Sequence, residues 1–198
     1  MAKNTAKLLG LALAGASVYG LWNLGQALLG DEQEAGTRHV LNQVWIERLP
    51  DGPRDMIGHL IMLDIPEGRI GAAGKSSQWR HMIEMFQYGL EGQRLSVFFP
   101  QDRVKAQLKV KSWRCEGEAP EPFELCLEIS NGRRSAVFYS MVEWRIEPKD
   151  AEGSLDELVQ AHPELASVLS DVSMPVAVPQ DELDGYVEVD AARVLTGE

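Results

Sequence analysis

Four histidines and two cysteines are the residues of this chain best suited to bind a metal or attack a carbonyl carbon, and their spacing supports neither role. His39, His59, His81 and His162 are scattered, with no His-x-His, His-x₃-His or Cys-x₂-Cys pattern, so a tetrahedral metal site has no support. No Gly-x-Ser-x-Gly elbow and no Cys/His pair marks a nucleophile. The run Gly71-Ala72-Ala73-Gly74-Lys75-Ser76 has the glycine and lysine of a phosphate-binding loop, but that loop needs a glycine where Arg69 stands. A Gly-rich strand bending at a barrel corner is the expectation there. His81, beside Trp79 and Arg80, could line a ligand mouth or even touch a haem, although a surface or satisfied core histidine is the ordinary reading. Paired carboxylates for hydrolysis cannot be picked out of 30 acids by spacing alone. The chain is accordingly read as non-enzymatic, with no catalytic residue, no metal and no cofactor.

The elements that must position the remaining side chains are strands. From Val40 to Ile146, apolar-rich runs alternate with turn signals. VLNQVWIERL stops at Pro50-Asp51-Gly52-Pro53, and MIGHLIMLDI stops at Pro66-Glu67-Gly68. RIGAAGKS, RHMIEMFQYGL, RLSVFFP and VKAQLKVKSWRC follow. FELCLEIS runs into Asn131-Gly132, a strong hairpin signal, and SAVFYSMVEWRI ends before Pro148. Val104, Ala106, Leu108 and Val110 share one face, while Lys105, Gln107, Lys109 and Lys111 share the other. Phe123, Leu125, Leu127 and Ile129 likewise oppose Glu124, Cys126, Glu128 and Ser130. This alternation predicts one wet and one buried face. Gln78–Leu90 also fits helical spacing through Trp79, Met82, Ile83, Phe86 and Leu90. Strand is preferred, because Phe86-Gln87-Tyr88 runs directly into a tight turn at Glu91-Gly92. The expected fold is all-β: an eight-stranded antiparallel up-and-down barrel over residues 40–146, whose closure removes exposed edges.

The segment FQYGLEGQRLSVFF resembles the aromatic-x-Tyr-x-Leu-x-Gly-x-x-Leu hairpin of bacterial lipocalin-like domains, and the meander as a whole is similar to their barrel. Typical lipocalins carry Gly two residues before the tryptophan at Trp45, whereas this chain carries Gln43. The resemblance implies an apolar ligand cavity and no chemistry. On the barrel reading, Leu108, Val110, Leu125, Leu127, Phe138 and Trp144 would line that cavity.

Cys115 and Cys126 flank a stretch containing Ala119-Pro120-Glu121-Pro122. If those four residues are the hairpin loop, the cysteines lie directly opposite each other on the Lys/Glu face, within reach of a disulfide. An oxidising compartment would permit the bond, whereas two free thiols would suit a cytosolic chain.

Residues 1–30 point to such a compartment. No charge falls between Leu8 and Gly30, Lys3 and Lys7 precede this run, and Asp31, Glu32 and Glu34 come after it. A helix of that length could cross a bilayer with its positive flank in the cytoplasm. The run is read as a single-pass membrane anchor that leaves the rest of the chain outside, in a periplasm-like space. The competing reading is a signal peptide cleaved at Ala14-Gly15-Ala16. Residues 31–39 are read as a linker.

Charge is uneven along the chain. Residues 147–198 hold 13 acids and 2 bases, so they account for the whole net charge of −11. An acidic chain without a basic patch would repel phosphates, so no nucleic-acid partner is expected. Ser154 and Glu157 form the spacing of a capping box, and Pro163 interrupts the helical pattern nine residues after Ser154. A short broken helix is therefore expected near 154–170, docked on the barrel or on a partner.

These readings lead to a membrane-anchored, extracytoplasmic, non-enzymatic binder of an apolar small molecule or lipid. The alternative is an accessory subunit of a membrane protein complex. A reporter that works only outside the cytoplasm, fused after Glu198, should be active; signal from a cytoplasm-dependent reporter at that position would contradict the topology.

Overall fold

A computed structural model describes residues 36–117, 119–169 and 187–188. The membrane-anchor reading of 1–30 and most of the acidic tail lie outside these residues. Eight strands form where the alternation places them: β1 Gln43–Ile46, β2 Ile57–Ile65, β3 Gly68–Ser77, β4 Arg80–Glu91, β5 Arg94–Phe99, β6 Val104–Arg114, β7 Leu125–Ser130 and β8 Ser135–Ser140. Each is antiparallel to the next, and β1 pairs with β8, so the meander closes into an eight-stranded barrel. The barrel is compatible with a lipocalin-like fold. The contested run at Gln78–Leu90 is strand β4, paired with β3 from Arg80↔Ser77 to Gln87↔Ile70. A short strand, β9 Val187–Glu188, adds a parallel pairing to β6.

Strand alternation sorts the apolar side chains into two clusters. Trp45, Leu60, Met62, Phe86, Tyr88, Leu95, Val97, Phe99, Leu108, Leu127 and Phe138 meet inside the barrel. Val44, Ile46, Ile57, Ile61, Leu63 and Ile70 point outward, yet they too are buried. They are covered by the start of the tail, as α1 Ala151–Ala161, a 3₁₀ turn Pro163–Leu165 and α2 Ala166–Leu169. These elements set Leu155, Leu158, Leu165, Val168 and Leu169 against the outer face. The broken helix therefore docks on the barrel. It begins earlier than the capping-box reading placed it, because Asp150 is the N-cap and its carboxylate accepts from the Gly153 N–H at 3.1 Å. Ser154 sits inside the first turn, its hydroxyl donating to Asp150 O and accepting from Glu147 N–H.

The seam between β1 and β8 explains the one lining residue that is misplaced in the sequence reading. Ile46 pairs with Tyr139, and uninterrupted pairing would set Gln43 against Val142. Gln43 instead faces Arg145, so three residues, Met141–Glu143, loop out of the ladder. An odd offset transfers every following side chain to the other face. Trp144, expected inside with Phe138, therefore packs outside, edge-on to Phe123 and His162. Where the loop departs, side chains take over the ladder. Val44 N–H donates to Trp144 O at 3.1 Å, while Val44 O accepts from the Ser140 hydroxyl at 2.6 Å. Gln43 Nε2 donates to Ser140 Oγ at 2.8 Å and to Met141 O at 2.6 Å. The residue that departs from the lipocalin pattern is thus the one that ties the barrel shut.

Two further expectations need correction. The strand expected from Phe123 starts at Leu125, since Phe123 N–H closes a turn onto Pro120 O and its ring stacks on Tyr139 outside the barrel. The Cys115–Cys126 disulfide is present, with Cα atoms 5.5 Å apart, but the register behind it differs. Trp113, not Cys115, lies opposite Cys126, and Cys115 sits just past the end of β6, its N–H donating to Glu124 O. The loop is longer than four residues, so the bond crosses the hairpin diagonally.

In the glycine run of β3, the expected strand is present. A Cβ on Gly71 would overlap the Phe86 ring, and one on Gly74 would overlap the Met82 carbonyl of β4. The run thus lets an aromatic ring and a neighbouring strand approach the backbone, and it has no part in a phosphate loop. Ser140→Ala should lower unfolding stability by about 1–3 kcal/mol, because the buried Val44 carbonyl and Gln43 amide each lose a partner. Urea titration of the two proteins checks this, and equal midpoints would contradict the seam's role.

Candidate functional site

The barrel interior is the first place to seek a site, since five of the six expected lining residues point into it. Leu108 and Val110 come from β6, Leu125 and Leu127 from β7, and Phe138 from β8. Side chains around an enclosed void keep surface that no neighbour covers, and these keep almost none: 4% for Leu108, 1% for Val110 and Leu125, 0% for Leu127 and 5% for Phe138. Large rings fill the middle. Phe86 lies 5.7 Å from Phe99 and 6.4 Å from Tyr88 between ring centres. Tyr88 is buried with its hydroxyl lacking a partner among the described residues, and burial pushes its ionisation well upward. The structure brings the five lining residues together as a packed core.

One end of the barrel is closed by the chain that leads into β1. Gly36 O accepts from Ser112 N–H, and His39 N–H donates to the buried Ser112 hydroxyl at 3.3 Å. Val40, fully buried, turns its carbonyl to Trp45 Nε1 at 3.3 Å. Part of the expected linker is therefore a plug. Burial, followed by the charges of Arg38, Arg114 and Arg145, lowers the His39 pKa. Near the other end, Glu84 is raised by burial and by Asp102.

Outside the barrel, the helix-covered face contains a polar island. His59 is 1% exposed among Ile57, Ile61 and Leu63, with Nδ1 at 3.5 Å from Ile57 O and Nε2 unpartnered among the described residues. Ser76, paired with Ile57 and His81 on its flanking strands, is buried with a hydroxyl that has no partner among the described residues. Burial, then the proximity of His81, depresses the His59 pKa to about 4. Among the described residues no group of three or more His, Cys, Asp or Glu is arranged to hold a metal ion.

The exposed apolar surface lies elsewhere. Trp79 is 71% exposed at the β3–β4 tip, with Met82 half exposed beside it. Gln78 N–H ties that tip to Pro53 O. An open groove of about 550 Å³ runs from there past Pro50 and Asp51 to Pro163, Glu164 and Ser167. Its described lining carries two acids, Asp51 and Glu164, and no base. Sequence reasoning singled out neither Trp79 as an exposed side chain nor His59 as a buried one. Exposure at a hairpin tip follows from strand overhang, which alternation does not encode.

No family model, no curated protein and no solved structure matches this chain.

His59 gives the fold a pH dependence. Its folded pKa is depressed, so it is neutral in the fold and charges readily on unfolding. The associated stability is complete above the unfolded pKa near 6.5 and is lost as pH falls towards the folded value of about 4. Between pH of about 7.5 and 4.5, His59 should account for a loss of about 2–3 kcal/mol. His59→Gln, which cannot charge, should show a correspondingly smaller loss in urea titrations at the two pH values; an equal loss would place the pH dependence elsewhere.

Proposed function

We propose that the chain is a membrane-tethered, extracytoplasmic, non-enzymatic interaction module, an accessory subunit of a membrane protein complex built on a lipocalin-like barrel. The observation that carries this reading is the filled interior. A carrier of apolar molecules needs a void, whereas Trp45, Phe86, Phe99 and Phe138 occupy the space a ligand would take. With the interior closed, the surfaces left for recognition are external: the Trp79 tip, its adjoining groove and the outer face of β6.

Two observations support the address. A disulfide persists in oxidising compartments, and Cys115–Cys126 fits a domain outside the cytoplasm. The uncharged run from Leu8 to Gly30, with its Lys-before and acid-after flanks, supports a tether. Among the described residues no helix is long and apolar enough to cross a membrane.

Native mass spectrometry of the full chain extracted from its own membrane tests the proposal. A stoichiometric second protein is the expected result. A chain that carries only a retained lipid, one per barrel, would favour the carrier. Leu125→Ala distinguishes the two from inside: in a packed core it should cost about 2–5 kcal/mol. A cost well below that range in urea titration would mean that Leu125 borders a void.

A further inference from the structure

Val187–Glu188 is the described part of the acidic tail beyond Leu169, and it lies along β6. The pairing is parallel, with Val104 against Val187 and Lys105 against Glu188. Among the described residues it occupies an edge that β7 does not cover. β5 covers β6 from Val104 to Lys109, whereas β7 covers it only from Lys109 to Arg114. Alternate residues of a strand turn their backbone groups to opposite sides. Val110 N–H donates to Gln93 O on the β5 side, so Arg103, Lys105 and Gln107 turn theirs away from β5. Arg103 O accepts from Val187 N–H at 2.9 Å.

Two features indicate what this edge accepts. The register sets a carboxylate beside a lysine at Glu188 and Lys105, and Lys109 and Lys111 continue that cationic row on the outer face. One step along, Val187 meets Val104, which packs against the barrel core. An extended segment alternating apolar and acidic residues matches both rows. Among the described residues the tail pairs over two rungs, and Val187 there remains 64% exposed. Main-chain pairing of this kind supplies affinity, and the alternate side chains supply selectivity.

We propose that the β6 edge at Arg103–Gln107 is a strand-addition site for an extended partner segment that alternates apolar and acidic residues, and that Val187–Glu188 fills it in the free protein. This deepens the interaction-module reading and rests on it. The partner strand displaces the tail and takes over the hydrogen bond at Arg103 O.

The test uses the full chain and a fluorescent peptide with the sequence of residues 181–192. Val187→Pro removes the N–H that bonds Arg103 O, and Glu188→Lys sets like charges side by side; either change should vacate the edge. Each variant should bind the peptide about tenfold or more tightly than the unsubstituted chain does. Adding Lys105→Glu, at a solvent-facing position, should weaken that binding about tenfold, and so should raised salt. Absence of saturable binding to both variants, with unchanged melting curves, overturns the proposal. Binding indifferent to Lys105→Glu overturns it as well. If the peptide fails while native mass spectrometry finds a partner protein, the edge is wrong and the module reading stands. A chain extracted with only a lipid inside removes the module reading, whatever the peptide does.

Discussion

The Ser140 hydroxyl stands where the barrel would otherwise come apart. It donates to Val44 O and accepts from Gln43 Nε2, at the point where β8 ends and three residues leave the ladder. Between β1 and β8 the strand ladder itself supplies one rung, Ile46 against Tyr139. The other seven junctions are long antiparallel pairings along the meander. An open sheet of this size would present two edges and an uncovered apolar face. Closure at the seam makes the interior a core, and the interior in turn holds the strands at the spacing closure requires.

The same break has a second consequence. By looping out three residues it turns Trp144 and Ile146 outward, onto the face formed by Val44, Ile46, Ile61 and Ile70. That face would be an exposed apolar patch if α1 and α2 did not lie across it. The barrel thus has two cores, one inside and one between strands and helices, and the irregular step after Ser140 joins them. His59 and Ser76 lie in the second, where burial holds the imidazole neutral. Burying both cores commits most of the apolar surface to stability and leaves the Trp79 tip and the β6 edge available for contact.

The strands were legible because period-two alternation is a local signal. Val104–Val110 against Lys105–Lys111 states which face is wet, and the barrel agrees. The disulfide was legible from two residues in one hairpin, although its register was not, since loop length depends on where Phe123 and Pro120 close their turn. Trp144 could not be placed from its own strand. Its face depends on an offset set by Gln43 and Ser140, residues nearly a hundred positions apart. The filled interior was equally hidden: alternation shows which side chains point inward, while whether Phe86 and Phe99 meet in the middle depends on Gly71 making room for a ring. The helix start at Asp150 was missed because Asp150, itself a good N-cap residue, lies four positions before the Ser154–Glu157 spacing and draws Ser154 into the first turn.

The barrel is closed at the Ser140 seam and packed within. Crystals of the protein pressurised with xenon test it directly, because a dry apolar void of ligand size takes up the gas. No xenon is expected among Trp45, Phe86, Leu125 and Phe138. An ordered xenon atom enclosed by those four side chains would contradict it, and would return the interior to the role of a ligand cavity.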